Sequence, residues 1–157
     1  MIALSQLRNL TERTLKALNM YSEDALNLVL GTIYQESLGG TYIRQLSGGS
    51  ALGICQMEPT TFKDIIENYL NYNKDLKIRV IVETNVHRLE AEALEYNLAL
   101  SIAFCRLHYE RYLFNDIPET VEEYAHAWKK YYNTHKGKGT EEQFINNYKK
   151  YISNEPK

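Results

Sequence analysis

The chain has few of the features that mark disulfide-rich secreted proteins or membrane proteins. Among its 157 residues are two cysteines, Cys55 and Cys105, and each lies in an apolar stretch. Because two cysteines cannot supply a disulfide framework, we predict buried free thiols. No apolar run reaches the roughly 20 residues that a membrane-spanning helix requires. The amphipathic N-terminal segment does not resemble a signal peptide, so we expect neither membrane insertion nor a signal peptide.

The chain also lacks a marked excess of charge and any close grouping of metal ligands. Its formal net charge is −2, which argues against nucleic acid as a partner. The four histidines, His87, His108, His126 and His135, have no metal-ligand spacing, and we expect neither a metal nor an organic cofactor. With 44% hydrophobic and 24% charged residues, the composition is typical of a globular protein, and we predict one domain over residues 1–157.

Tyrosine is the abundant aromatic residue, with thirteen copies against four phenylalanines and one tryptophan. A tyrosine side chain offers both a flat apolar surface and a hydroxyl group, as carbohydrate-binding clefts use. A coding bias toward Lys, Asn and Tyr explains the same count equally well. Composition alone therefore leaves a carbohydrate site open.

Helical signals recur along most of the chain. Apolar residues at i, i+3, i+4 and i+7 spacing predict helices, with a buried central helix at about residues 89–113. The segment 76–82 alternates in polarity like a strand, but its neighbours are helical and we favour a short helix. Helix starts are predicted at Ser22, at Pro59, at Thr120 paired with Glu123, and at Thr140 paired with Gln143.

Residues 39–58 interrupt the helical pattern. They contain five of the eight glycines, and the sequence TYIRQL within them can form a short strand. We therefore predict an all-α fold with a short irregular or β-containing loop region at about 39–58.

Glu36 ends the apolar helix that precedes this loop. It follows Val29 by seven residues and Ile33 by three, which places a carboxyl group on the buried face of the helix. It also lies in the last turn, where the carbonyl end of the helix disfavours negative charge. Burial and the helix dipole both favour the protonated carboxyl group, which is the state that a general acid must hold near neutral pH.

Two stretches of this sequence resemble the soluble lytic transglycosylase domain and the related goose-type lysozymes. Residues 36–37 are ES and residues 47–61 are SGGSALGICQMEPTT, against the family pattern ES and S-x-x-G-A-x-G-L-M-Q-[LI]-M-P-x-T. Residues 131–133, with Gly137 and Gly139, are similar to the later A-Y-N-A-G element. The resemblance implies a helical, lysozyme-like domain.

The chain departs from that family pattern at several positions. Ser50 replaces a glycine, Cys55 and Glu58 each replace a methionine, and residues 131–135 match only part of the last element. Residues 128–140, WKKYYNTHKGKGT, are similar to small bacteriophage proteins that carry this domain. We therefore expect a phage-encoded protein, made in the host cytoplasm and acting on the cell wall, whether released at lysis or carried in the virion.

The resemblance assigns Glu36 as the acid that protonates the glycosidic oxygen between N-acetylmuramic acid and N-acetylglucosamine. The substrate's own N-acetyl group then stabilises the cationic centre, so a second carboxylate is not required. Ionised Glu36 next acts as a base. Deprotonation of the muramyl C6 hydroxyl gives a 1,6-anhydro end, as in a lytic transglycosylase, whereas deprotonation of water gives a reducing end, as in a hydrolytic muramidase.

Other residues are assigned around the sugar. Gln56 both donates and accepts hydrogen bonds, which suits an amide-bearing sugar. Tyr132 can bond the acetamido group or Glu36, and Asn133 can hold either its loop or the sugar. Ser47 is a further candidate for substrate binding, although bonding to the loop backbone is the commoner role of such a serine. Glu58 is a possible second acid, but a Glu before a helix-opening proline more often interacts with the exposed N–H groups there.

Two other classes of function are compatible with the sequence. A Cys/His hydrolase would use Cys55 as nucleophile with His108, His126 or His135 as base, although nothing near Cys55 indicates activation of the thiol. A non-catalytic glycan-binding or virion structural protein on the same scaffold is the more serious alternative. The expected partners are peptidoglycan glycan strands and, for a virion protein, other proteins of the particle.

Overall fold

The computed structural model describes residues 1–133 and 137–153, and in these residues the chain forms seven α-helices and no β-strand. The predicted all-α fold is confirmed. The helices are α1 (Leu4–Ala17), α2 (Glu23–Ser37), α3 (Pro59–Asn68), α4 (Lys74–Glu83), α5 (Leu98–Leu113), α6 (Val121–Ala127) and α7 (Glu141–Tyr148). Short 3₁₀ turns occupy Leu70–Tyr72 and Ala91–Glu95, and π-helical segments follow α6 at Trp128–Asn133 and α7 at Lys149–Ser153.

The predicted helix starts are confirmed. The Ser22 hydroxyl accepts a hydrogen bond from the Ala25 N–H at 3.0 Å, and Pro59 occupies the first position of α3. Both capping boxes are present, and in each the side chains and backbone N–H groups of the pair bond reciprocally. The capping boxes pair Thr120 with Glu123 and Thr140 with Gln143.

The central helix α5 is shorter than its apolar pattern predicts. Every residue at positions 100–109 is buried, as expected for a central helix. The helix begins at Leu98, however, because the Asn97 side chain accepts a hydrogen bond from the Leu100 N–H at 2.9 Å and caps it there. The prediction that it starts near residue 89 is wrong, since that stretch forms the Ala91–Glu95 turn instead.

Residues 76–82, whose apolar pattern alternates like that of a strand, lie in the helix α4, as predicted. Leu76 and Val80 are buried, whereas Ile78 is 61% and Val82 is 65% exposed. Residues two positions apart lie about 200° apart around a helix, so two apolar stripes on opposite sides produce the alternation of a strand.

The loop at 39–58 contains no strand in the structure. Its β character is limited to two isolated antiparallel bridges, which join Leu52 to Arg44 and to Met57. Residues 41–46 do not form the short strand that their sequence allows, and the predicted irregular loop is confirmed. The chain turns at Gln45–Gly48, where the Gly48 N–H donates to the Gln45 carbonyl at 3.2 Å and Gly48 adopts a φ of +77°.

Two hydrophobic clusters support the cleft described below. The first includes Leu7, Val29, Trp128 and Phe144, and the second includes Phe62, Val80 and Phe104. Tyr132 packs against both clusters, and Cys55 and Cys105 are buried free thiols as predicted. Within residues 1–133 and 137–153, no helix is both long and apolar enough to cross a membrane.

Candidate active site

A cleft of about 710 Å³ opens between the end of α2, the 39–58 loop and the π-helical segment Trp128–Asn133. All six side chains that the sequence assigns to a site line this cleft, although they come from distant parts of the chain. They are Glu36, Ser47, Gln56, Glu58, Tyr132 and Asn133.

Glu36 lies in the last turn of α2 with its carboxyl group facing the cleft. Burial raises the pKa of this carboxyl group from 4.5 to about 7, and a hydrogen bond from Trp128 acts in the opposite direction. The Trp128 Nε1–H donates to Glu36 Oε1 at 2.7 Å. The direction of the pKa shift expected from the sequence is confirmed, and burial is its main cause.

The backbone around Glu36 is tied to the loop that follows. The Ser37 hydroxyl lies 2.6 Å from the Ile54 carbonyl oxygen and accepts a hydrogen bond from the Gly40 N–H at 2.9 Å. The Tyr42 hydroxyl donates to the Glu36 carbonyl at 2.7 Å. Ser37 therefore bonds backbone groups, and the end of α2 is tied to the cleft wall.

Gln56 and Tyr132 both make hydrogen bonds to the cleft wall itself. Gln56 has a φ of +46°, and its Nε2 donates to the Gly53 carbonyl at 2.9 Å. The Tyr132 hydroxyl donates to the Cys55 carbonyl at 2.7 Å. The Tyr132 hydroxyl therefore does not bond Glu36, which was one of its two predicted partners. Its hydroxyl joins the π-helical segment to the loop.

Asn133 helps to hold residues 137–139 through Lys129, and its second predicted role, binding the sugar, stays a prediction. Its Oδ1 accepts a hydrogen bond from Lys129 Nζ at 2.7 Å. The same ammonium group donates to the carbonyls of Gly137 at 3.0 Å and Gly139 at 2.7 Å. Lys129 therefore fastens residues 137–139, which form one rim of the cleft, to the π-helical segment.

The expectation that Glu58 interacts with the N–H groups at the start of α3 is wrong. Its side chain makes no capping hydrogen bond, and its Oε2 instead accepts one from the Ser50 hydroxyl. Glu58 lines the cleft, where Ser47 is also exposed. Glu58 is thus a second acidic side chain in the same cleft as Glu36.

Three residues of the site are missed by sequence reasoning. Trp128 bonds the Glu36 carboxyl group, Tyr42 bonds its backbone, and Lys129 holds the rim. Only Trp128 carries a usable sequence signal, because it precedes Tyr132 by four residues and must share its helical face. Tyr42 and Lys129 carry no such signal, because their contacts depend on how the 39–58 loop and residues 137–139 fold.

The Cys/His arrangement is absent from the described part of the chain. The Cys55 side chain is fully buried, and burial together with Cys55 raises the pKa of the neighbouring Cys105 thiol. His108 lies between the Tyr131 carbonyl and Arg111, and burial lowers its pKa to about 4. His126 is exposed and lies 2.8 Å from a Glu141 oxygen.

The remaining candidate base, His135, lies outside the described residues. Among the described residues, no group of three or more His, Cys, Asp and Glu side chains could hold a metal ion.

Because Trp128 is the single tryptophan of the chain and bonds the Glu36 carboxyl group, its fluorescence should report ionisation of that group. We expect the emission intensity to change between pH 5 and pH 9, with a midpoint at about 7. The Glu36→Gln protein should lack this transition. A flat profile in the wild-type protein, or the same transition in the variant, would contradict the assignment.

No protein-family model, no curated protein and no solved structure matches this chain. The similarity of residues 36–37, 47–61 and 131–133 to lytic transglycosylases therefore stays an expectation from the sequence. The residues of these motifs converge on one cleft, and the chemistry of that cleft is the basis for assigning a function.

Proposed function

We propose that this protein cleaves the β-1,4 bond between N-acetylmuramic acid and N-acetylglucosamine in peptidoglycan, with Glu36 as general acid and then general base. One observation carries the proposal. A carboxyl group whose pKa is raised to about 7 faces a cleft of about 710 Å³. A glycosidase acid must hold its proton at the working pH and reach the leaving oxygen from a concave site.

One carboxyl group is enough for both proton transfers of this reaction. Protonated Glu36 gives its proton to the glycosidic oxygen as the bond to C1 breaks, and the substrate N-acetyl group stabilises the positive charge at C1. Glu36 is then an ionised carboxylate in a largely buried site, which makes it a stronger base than an exposed glutamate. It removes the proton of the C6 hydroxyl, whose oxygen closes onto C1 and gives a 1,6-anhydromuramyl end.

Hydrolysis is the second candidate reaction, and the position of Glu58 in the cleft supports it. Glu58 lines the same cleft as Glu36, and its carboxylate accepts a hydrogen bond from Ser50 rather than capping α3. A carboxylate in that place can orient or deprotonate a water molecule. The product would then carry a reducing muramic acid end.

Mass spectrometry of the soluble products from purified peptidoglycan tests the proposal. Wild-type, Glu36→Gln and Glu58→Gln proteins should be compared at equal concentration. We expect 1,6-anhydromuramyl ends from the wild-type and Glu58→Gln proteins, and no products from Glu36→Gln. Reducing ends that disappear in Glu58→Gln would assign a muramidase. No products from any protein, across several peptidoglycan types, would overturn the enzymatic proposal.

A non-catalytic glycan-binding or virion structural role remains the alternative in that last case. It predicts that the wild-type and Glu36→Gln proteins sediment equally with insoluble peptidoglycan and release nothing from it. The cleft supports this alternative as well, because Tyr42, Gln56 and Tyr132 present aromatic and amide groups of the kind that bind sugars. Either role is consistent with a phage-encoded protein that meets the wall at lysis or from the virion.

A further inference from the structure

The two oxygens of the Glu36 carboxyl group have different surroundings. Oε1 accepts the hydrogen bond from Trp128 Nε1–H at 2.7 Å. An indole N–H only donates, so Oε1 must accept whether the carboxyl group is ionised or neutral. Because the carbonyl oxygen of a neutral carboxyl group accepts more strongly than its hydroxyl oxygen, the indole N–H favours a proton on Oε2.

We infer that Trp128 is a positioning residue that keeps Oε1 as an acceptor and leaves Oε2 as the oxygen that carries and transfers the proton. The transfer step rests on the proposed function, whereas the assignment of the two oxygens does not. An indole N–H aimed at Oε1 also stabilises the ionised carboxylate that must form once the proton has left.

The indole is held in place from several sides. It is 1% exposed, and the Phe144 ring packs on it with a centroid distance of 5.6 Å. Gly139 lies so close that a Cβ atom there would come within 2.5 Å of Trp128 Cη2. Lys129 holds the Gly139 carbonyl at 2.7 Å. Because the packing leaves the ring little room to turn, the N–H direction is set before a substrate binds.

The other ionisable groups near Glu36 are neutral at pH 7. Burial and the Glu36 charge both raise the pKa of the phenols of Tyr42, Tyr109 and Tyr132, and of the Cys105 thiol. Glu58 and Lys138 are the charged groups across the cleft among the described lining residues. The indole bond is therefore the main local interaction that opposes the effect of burial on Glu36.

Removing the indole N–H should raise the pKa of Glu36. In Trp128→Phe, we expect the midpoint of the Glu36 carboxyl titration, followed by ¹³C NMR, to rise above its wild-type value of about 7. The loss of one charge-assisted hydrogen bond corresponds to about one pH unit. The alkaline limb of kcat/KM for peptidoglycan should move by the same amount, because activity requires protonated Glu36.

A second substitution removes the donor without changing the packing. Since the chain has one tryptophan, biosynthetic incorporation can replace it with benzothienylalanine, in which sulfur takes the place of the N–H group. The same upward shift is expected there even if Trp128→Phe fails to fold. Phe104→Leu is the matched control, because Phe104 is an equally buried phenylalanine that packs on Phe62 and not on the indole. Its titration midpoint should remain at about 7.

The indole N–H resonance supplies a readout that needs no activity. It should remain downfield and protected from exchange with water at both pH 5 and pH 9, since Oε1 accepts in both states. Loss of protection at pH 5, an unchanged midpoint in both donor-free proteins, or an equal shift in Phe104→Leu would overturn the inference. A shifted midpoint in a protein that cleaves nothing would uphold the role of Trp128 and reject the proposed function.

Discussion

Glu36→Gln should abolish cleavage of peptidoglycan and, above pH 7, make the protein more stable than the wild type. A glutamine cannot give up or take a proton, and loss of a general acid typically lowers the rate on the order of 10³-fold. The substitution preserves the fold because the side-chain amide keeps an oxygen that accepts the indole N–H of Trp128.

The gain in stability follows from the raised pKa of Glu36. The pKa is 4.5 in an unfolded chain and about 7 in the folded protein, so the folded state binds the proton more tightly. The stabilisation from this proton is complete below pH 4.5, declines as the pH rises, and is lost above about 7. The difference of about 2.5 pH units corresponds to about 3 kcal/mol.

Glutamine does not titrate and avoids this loss. Denaturant unfolding at pH 4 and pH 8.5 should therefore show the variant gaining about 3 kcal/mol relative to the wild type between the two pH values. Equal pH dependence of the two proteins would show that Glu36 is not protonated near neutral pH. Retained cleavage by Glu36→Gln would remove Glu36 from the mechanism altogether.

Gly53→Ala should destabilise the protein by about 2–4 kcal/mol, because the residue is restricted in both conformation and space. Its φ is +78°, which L side chains rarely adopt. A Cβ atom would come within 2.4 Å of the Leu94 carbonyl oxygen and 2.7 Å of Ser101 Oγ. The first of these is a backbone atom and cannot rotate away. The Gly53 carbonyl also accepts the Gln56 side-chain bond, so the cleft wall should shift with it.

Gly48→Ala is the matched control for this prediction. Gly48 has a φ of +77°, nearly the same as that of Gly53, but a Cβ atom there would meet nothing within 4 Å. It should cost only about 1 kcal/mol, from backbone strain alone. Urea unfolding of both variants measures the difference. Equal losses of stability would show that the close approach to Leu94 is relieved at little cost.

Most of the fold can be predicted from the sequence because its signals act over a few residues. Capping pairs such as Thr120 with Glu123 bond within one helical turn, so no distant partner is needed to recognise them. The position of Glu36 is equally local, since the spacing from Ile33 places it on the inner face of α2.

The predictions of secondary structure fail where two local sequence signals favour different structures. The helix that was expected from about residue 89 starts at Leu98, because Asn97 caps it within an apolar stretch. The short strand that residues 41–46 could have formed is absent, and the pairing in this loop is limited to the isolated bridges from Leu52 to Arg44 and to Met57. Glu58 bonds Ser50 across the loop, and no pattern of neighbouring residues predicts that contact.

By itself, the sequence determined that this protein is a helical chain with a carboxyl group at the inner end of its second helix, followed by a glycine-rich loop. Those features depend on periodicity and on bonds between near neighbours. Only the tertiary structure decided that Trp128 bonds Glu36 and that Lys129 holds the rim of the cleft. Such contacts join residues far apart in sequence, and their geometry exists only once the helices have packed.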